Sequence, residues 1–235
     1  MQNAVNSRRA VVLVIAFCFV VVSSAGAATL VAKVEMKSPA QPDKVINTNA
    51  DPYCAMEHKT DKLMTEDVIV NPGGTLRNVF VYVSSPVSGK YAAPKTPVVL
   101  DQVGCHYTPH AVALMAGQPL MIRNSDSTLH NIHPLPKVNT PFNLGMPTKG
   151  MTQTKVLDKP EAPFHVKCDV HRWMSGYIAV FDLPFFGVSN DKGVVQIDNL
   201  PAGTYTIESW QEKFGPKTQQ VTVTANDKKE IVFTY

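Results

Sequence analysis

An all-β chain built from sandwiches is predicted by three features of the sequence. Short runs rich in Val, Ile, Tyr, Phe and Thr recur between turn signals, which is how half-buried strands read. No stretch of helical length carries a clear 3.6-residue period. The 18 prolines and 13 glycines suit many short connections. In chain order the strand signals lie at 30–35, 68–70, 78–83, 97–100, 111–115, 119–123, 152–157, 164–167, 176–182, 194–198, 204–210, 219–224 and 231–235. Turn chemistry separates them at Asn71-Pro72-Gly73-Gly74, Ala116-Gly117, Asp191-Lys192-Gly193 and Pro201-Ala202-Gly203.

With 235 residues, 44% hydrophobic and 17% charged, the chain suits one large or two small globular domains and is neither disordered nor collagen-like. Its 22 Lys and Arg stand against 19 Asp and Glu, a net charge of +3. Arg8 and Arg9 precede an apolar run over 10–22 and the small residues Ser23-Ser24-Ala25-Gly26-Ala27-Ala28, the pattern of an export signal with an A-x-A cleavage site. The run is shorter than the roughly 20 residues a spanning helix needs. The expectation is therefore a signal peptide over 1–27, cut after Ala27 or Ala28, with no membrane span after its removal and a periplasmic or secreted location. Loss of the two arginines lowers the net charge to +1, which argues against a nucleic-acid partner.

Cys18 leaves with that signal, so Cys54, Cys105 and Cys168 remain. In an oxidising compartment an odd cysteine is a free thiol, an intermolecular bridge or a metal ligand. Cys54 and Cys105 sit in loop-like surroundings, Asp51-Pro52-Tyr53-Cys54 and Val103-Gly104-Cys105-His106, and are expected to form a disulfide. Cys168 instead opens a cluster of soft ligands and is expected to be a thiolate.

That cluster is Cys168-Asp169-Val170-His171-Arg172-Trp173-Met174, between two strand signals. A second imidazole comes from Asn124-Ser125-Asp126-Ser127-Thr128-Leu129-His130-Asn131-Ile132-His133. Two His nitrogens and one Cys sulfur in a plane, with a weak axial Met, form the ligand set of a blue-copper electron-transfer site. Thiolate and thioether favour Cu(I) while imidazole accommodates Cu(II). Zinc suits this set less well, since a thioether is a poor zinc ligand and no second Cys is near. His130 and His133 lie three residues apart, so on a strand they face opposite ways and only one can enter the site.

From about Val99 to Phe181 these residues resemble the type 1 copper cupredoxins, and within them amicyanin and the cupredoxin-like proteins of methylamine-utilisation clusters. The short Cys-x-x-His-x-x-Met loop has the amicyanin length, and His130-Asn131-Ile132-His133 is similar to that family's His-Asn-Val-His. The resemblance implies a Greek-key β-sandwich holding one type 1 copper through His130, Cys168, His171 and Met174, with His133 at the surface. It also implies that Asn131 hydrogen-bonds across the two ligand-bearing loops and tunes the sulfur. Cys54-Ala55-Met56-Glu57-His58 offers a weaker soft-metal patch, read here as a disulfide loop with exposed neighbours in preference to a second metal site. His165 is read as decorating a strand.

Residues 193–207, with 221–223 and 231–233, resemble the C-terminal half of a carboxypeptidase-regulatory-like, or transthyretin-like, β-sandwich. Half a sandwich cannot bury its apolar face. Runs 30–35 and 78–83 are taken as its missing strands, giving a second small β-sandwich split around the cupredoxin domain. The expected organisation is an N-terminal β region over 28–97, the copper domain over 98–184 and a C-terminal β region over 185–235.

No phosphate loop, Gly-x-Ser-x-Gly elbow or His-Glu-x-x-His helix is present. Multicopper oxidases and nitrite reductases need several further His pairs, and this chain has seven histidines in all. A non-enzymatic carrier is therefore expected. It would pass single electrons between a dehydrogenase or cytochrome c donor and a redox acceptor by transient docking. The family places the counterpart of His171 at the surface as the electron's exit, with a docking patch around Trp173. The alternative is a copper-binding or assembly protein, or an accessory factor of methylamine utilisation, for which the extra sandwich speaks. A third possibility is a structural or carbohydrate-binding sandwich with a vestigial metal loop.

Overall fold

The computed structural model describes residues 26–37 and 44–235, so the expected signal over 1–27 lies outside it except for its last two positions. The chain begins with β1 (Ala28–Glu35), a one-and-a-half-turn helix α1 (Pro52–Glu57) and β2 (Phe80–Val83). A central run follows: β3 (Val98–Val103), β4 (His106–Thr108), β5 (Ala111–Met115), β6 (Pro119–Asn124), β7 (His130–Pro134), β8 (Leu144–Met146), β9 (Thr152–Val156), β10 (Glu161–Lys167) and β11 (Ser175–Phe181). The chain closes with β12 (Phe186–Val188), β13 (Val194–Leu200), β14 (Gly203–Gln211), β15 (Gly215–Val223) and β16 (Lys228–Thr234). The fold is all-β, as its alternating runs predict. Among the described residues no helix is long and apolar enough to cross a membrane.

Two β-sandwiches share the chain. The central one faces a sheet ordered β4-β3-β6-β9 against a sheet ordered β5-β11-β10-β7-β8. Parallel pairs β3·β6 and β5·β11 among antiparallel neighbours mark its Greek-key crossovers. Leu100, Leu114, Leu120, Ile122, Ile132 and Ile178 fill its core, and Cys168 and Met174 belong to the same buried cluster. The ligand loop is thus an extension of the core, resting on packed strands.

The second sandwich joins the two ends of the chain. β1 runs antiparallel to β13 and parallel to β16, while β2 lies between β12 and β14 in a sheet ordered β12-β2-β14-β15. Leu30, Val34, Val81, Ile207, Val223 and Phe233 meet in its core. β2 is buried on both faces, which its unbroken apolar run Phe80-Val81-Tyr82-Val83 requires. With a two-residue side-chain period, Val81 and Val83 enter this core while Phe80 and Tyr82 turn to the central sandwich, packing with Ala111, Ala179 and Phe181. Aromatic pairs Tyr82–Phe181 (4.7 Å) and Tyr177–Trp210 (5.0 Å) join the two units. Such pairs contribute about 0.5–1.5 kcal/mol each beyond their burial.

Some elements differ from the sequence reading. Residues 68–70 form no strand; Val70 makes a single bridge to Leu76, because Asn71-Pro72-Gly73-Gly74 turns the chain back at once. The loop expected around Cys54 contains α1, whose start is capped by Asp51 with Pro52 in the first turn. The three-residue strands β4, β8 and β12 are too short to show a period.

One polar contact ties three parts of the chain together. His110 follows β4 and is 5% exposed; its Nε2 lies 2.6 Å from Glu212 beyond β14, and its Nδ1 lies 3.6 Å from Glu66 in the N-terminal segment. Burial opposes its charge, yet the two carboxylates prevail and hold its pKa at about 9. Because this lies above the ordinary 6.5, the stabilisation is complete below about 6.5 and is lost as pH climbs through about 9. Unfolding titrations should show stability falling across that window in the wild type and a flatter profile in His110→Gln. Parallel profiles for the two proteins would remove His110 from this role.

Candidate metal centre

Cys168 to Met174 connect two hairpin strands, since Lys167 of β10 pairs with Ser175 of β11. The loop closes on itself: Cys168 N donates to Met174 O (3.3 Å) and Met174 N to His171 O (2.9 Å). His130 enters from β7, the neighbour of β10 in the same sheet, and is fully buried, while His133 on the other face of that strand is partly exposed and pairs with Asp169 (2.8 Å). His130, Cys168 and His171 each offer a donor atom within 4.8 Å of the others. Met174 is buried in the same cluster.

The ring nitrogens define what the cluster can hold. His130 Nε2 lies 2.8 Å from Asp126 Oδ2, and His171 Nε2 lies 3.2 Å from Asp51 Oδ2. A carboxylate beside a neutral imidazole selects the tautomer with the proton on that nitrogen. The two Nδ1 atoms face each other 2.9 Å apart in a buried space, at hydrogen-bonding distance, so a proton on one ring or a metal ion between them satisfies the pair. Two lone pairs at that distance repel unless a cation lies between them. A thiolate beside them completes a donor set for a soft metal, so these residues fit copper.

Electrostatics around the sulfur agree. Burial raises the Cys168 thiol, but the neighbouring His130 and His171 and the backbone N–H groups of Asn131 and His171 outweigh it and bring it down to about 6. Burial likewise opposes the carboxylate of Asp126, yet His130 and the N–H groups of Cys105 and Gly104 hold its pKa below the usual range. His130 is disfavoured as a cation by burial and favoured more by Asp126 and Cys168, so its pKa rises.

Asn131 connects the two ligand-bearing segments. Its Oδ1 accepts from the N–H groups of Asp169 (2.6 Å) and Val170 (3.3 Å) and lies 3.2 Å from Cys168 Sγ, while its Nδ2 donates to Asn143 (2.6 Å). Its backbone N–H points at the same sulfur, 3.5 Å away. Tyr107, on β4 beneath, donates its hydroxyl to Asn131 O (2.7 Å).

The Cys54–Cys105 disulfide is formed, and among the described residues Cys168 is the free cysteine. In the chain-entropy picture, tying residues 51 apart contributes about 4 kcal/mol. Cys105 and Gly104 have φ of +57° and +62°, the left-handed pair that a two-residue I′ hairpin requires. Asp126 secures that turn by accepting from both N–H groups at 2.8 Å. Met56 is exposed, and the His58 ring nitrogens lie 3.0 and 2.7 Å from the carbonyls of Asp61 and Gly104. His165 sits on β10 beside Ser175 (2.9 Å).

One expectation is overturned. His171 is 2% exposed, not at the surface. Asp51, the disulfide and Trp173 enclose it: Cys54 Sγ lies 3.9 Å from its Nε2, and the Trp173 ring packs 4.9 Å away. Trp173 is itself half-buried and donates its indole N–H to Cys105 O (3.0 Å). The sequence reading missed Asp51 and Asp126. Asp126, four residues before His130, carried a spacing signal; Asp51 carried only that of a helix cap.

No family model and no curated protein matches the chain. Solved structures align with part of it. A copper-containing nitrite reductase (NirK) from Thermus scotoductus SA-01 is 22% identical over 43% of this chain, with a TM-score of 0.33, and this chain spans 26% of that protein's length. A purple cupredoxin from Nitrosopumilus maritimus is 19% identical over 35% of this chain and 97% of its own, with a TM-score of 0.30. The oxidised form of an amicyanin mutant is 20% identical over 36% of this chain and 81% of its own, with a TM-score of 0.32.

Replacing Asn131 with Ala removes the acceptor that binds the loop at Cys168, Asp169 and Val170. Loss of a group that orients metal ligands typically costs 10–100-fold in affinity. Copper competition titrations should therefore place Asn131→Ala about 10–100-fold weaker than wild type, and equal affinities would show that the loop is held without it.

Proposed function

We propose that this chain is a type 1 copper protein that carries single electrons between redox protein partners in the periplasm or outside the cell. One observation carries the reading: two imidazole Nδ1 atoms 2.9 Å apart with the Cys168 sulfur beside them, all buried at one end of a sandwich. His130, Cys168 and His171 would supply the trigonal donors and Met174 the axial thioether. Copper bound there contributes the Cu(I)/Cu(II) couple. The protein's part is to hold the same donors in both states, so that little rearranges as the electron moves. A cytochrome c or a dehydrogenase would be the partner, docking transiently. The copper domain is taken as 98–184, with 28–97 and 185–235 forming the carboxypeptidase-regulatory-like sandwich around it.

A second reading is supported by the covered His171. An ion sealed from contact suits a copper-binding, assembly or methylamine-utilisation accessory protein whose metal is stored or delivered. Reversible redox cycling without metal loss separates the two.

The test loads the mature chain, from Ala28 onward, with Cu(II) and compares it with Cys168→Ser. An intense thiolate-to-copper band and a narrow hyperfine splitting, both lost in the variant, are expected. Equal binding without Cys168, or a colourless protein that takes only Cu(I), would defeat the electron-carrier reading.

A further inference from the structure

The segment leading into α1 closes over the face by which His171 would otherwise meet solvent. Its Asp51 is held from several sides: Oδ1 accepts from Cys54 N (3.0 Å), and Oδ2 accepts from Thr128 Oγ1 (2.9 Å) while lying 3.2 Å from His171 Nε2. The disulfide fastens α1 to the Gly104-Cys105 turn. Tyr53 adds a bond to Asp126 (3.3 Å), and His58 Nε2 sits 2.7 Å from Gly104 O. Asp51 therefore reaches the imidazole at a fixed place, brought from 120 positions earlier in the chain.

Resting on the copper reading above, we infer that Asp51 is a positioning residue for His171, delivered by a disulfide-stapled lid, and that its charge biases the centre toward the oxidised metal. The carboxylate keeps the proton on Nε2, which leaves Nδ1 as the donor. With Asp126 behind His130, each imidazole has an anionic partner, and the thiolate adds a third negative charge near the ion. Clustered negative charge favours Cu(II) over Cu(I). The lid also blocks His171 from swinging outward, which keeps the ligand set intact in both states and slows exchange of the metal.

Three proteins test this: wild type, Asp51→Asn and Asp51→Ala. Asn keeps an acceptor for Nε2–H and removes the charge; Ala removes both. In the copper-free protein, nitrogen NMR of the His171 ring should show the Nε2–H tautomer in wild type and Asp51→Asn, and a mixture in Asp51→Ala. In the copper-loaded protein, the midpoint potential of Asp51→Asn should rise by about 60–120 mV, a 10–100-fold loss of preference for Cu(II) at 59 mV per tenfold for one electron. Copper loss to excess chelator should be at least about tenfold faster in Asp51→Ala, and in Cys54→Ser/Cys105→Ser where circular dichroism shows that variant folded. An unshifted potential in Asp51→Asn, or a wild-type His171 protonated on Nδ1, overturns the inference. If the wild type takes up no copper, the proposed function fails, and the tautomer measurement still decides whether Asp51 sets the His171 ring.

Discussion

Two imidazole Nδ1 atoms directed at each other across 2.9 Å, each with a carboxylate behind its far nitrogen, form the constraint on which this end of the molecule depends. Such an arrangement requires a proton or a metal cation between the rings, and burial strengthens the demand because a buried polar atom without a partner is costly. The surrounding structure holds it open. Asp126 serves a turn and a histidine at once, Asn131 pins the loop to β7, and the disulfide sets α1 over the top. Asp126 and the disulfide are as buried as the donors, while Asp51 stays partly exposed at the rim.

The rigidity comes from the layers beneath. The Cys168–Met174 loop spans adjacent strands whose inner residues, Phe164, Val166, Ile178 and Val180, belong to the core of the central sandwich. Their outer residues Tyr177, Ala179 and Phe181 pack on Phe80, Tyr82 and Trp210 of the second sandwich. β11 is thereby clamped from both faces. The second sandwich is no loose appendage: β1 and β2 share sheets with the last five strands, and its aromatic face braces the sheet that carries Cys168.

Much of this was readable residue by residue. Alternating runs such as Thr204-Tyr205-Thr206-Ile207 become strands because one face is buried and the other wet. The parity of His130 and His133 sends one inward and one outward because a strand's side chains alternate. Helix α1 was not readable, since six residues cannot display a period, although Asp51-Pro52 is a cap followed by a first-turn proline. Asp126 was hidden in a Ser-, Asn- and Thr-rich stretch that reads as a turn.

By itself the sequence determined the donor types, their spacing on one short loop, the strand periods and the odd cysteine, all properties set within a few residues by local geometry. Only the tertiary structure decided that His171 is covered, that Asp51 stands behind it, and that the chain's two ends close one sandwich. The contacts responsible join residues 77 and 117 positions apart. Such pairings follow from which apolar faces pack together, and no local pattern of side chains encodes that choice.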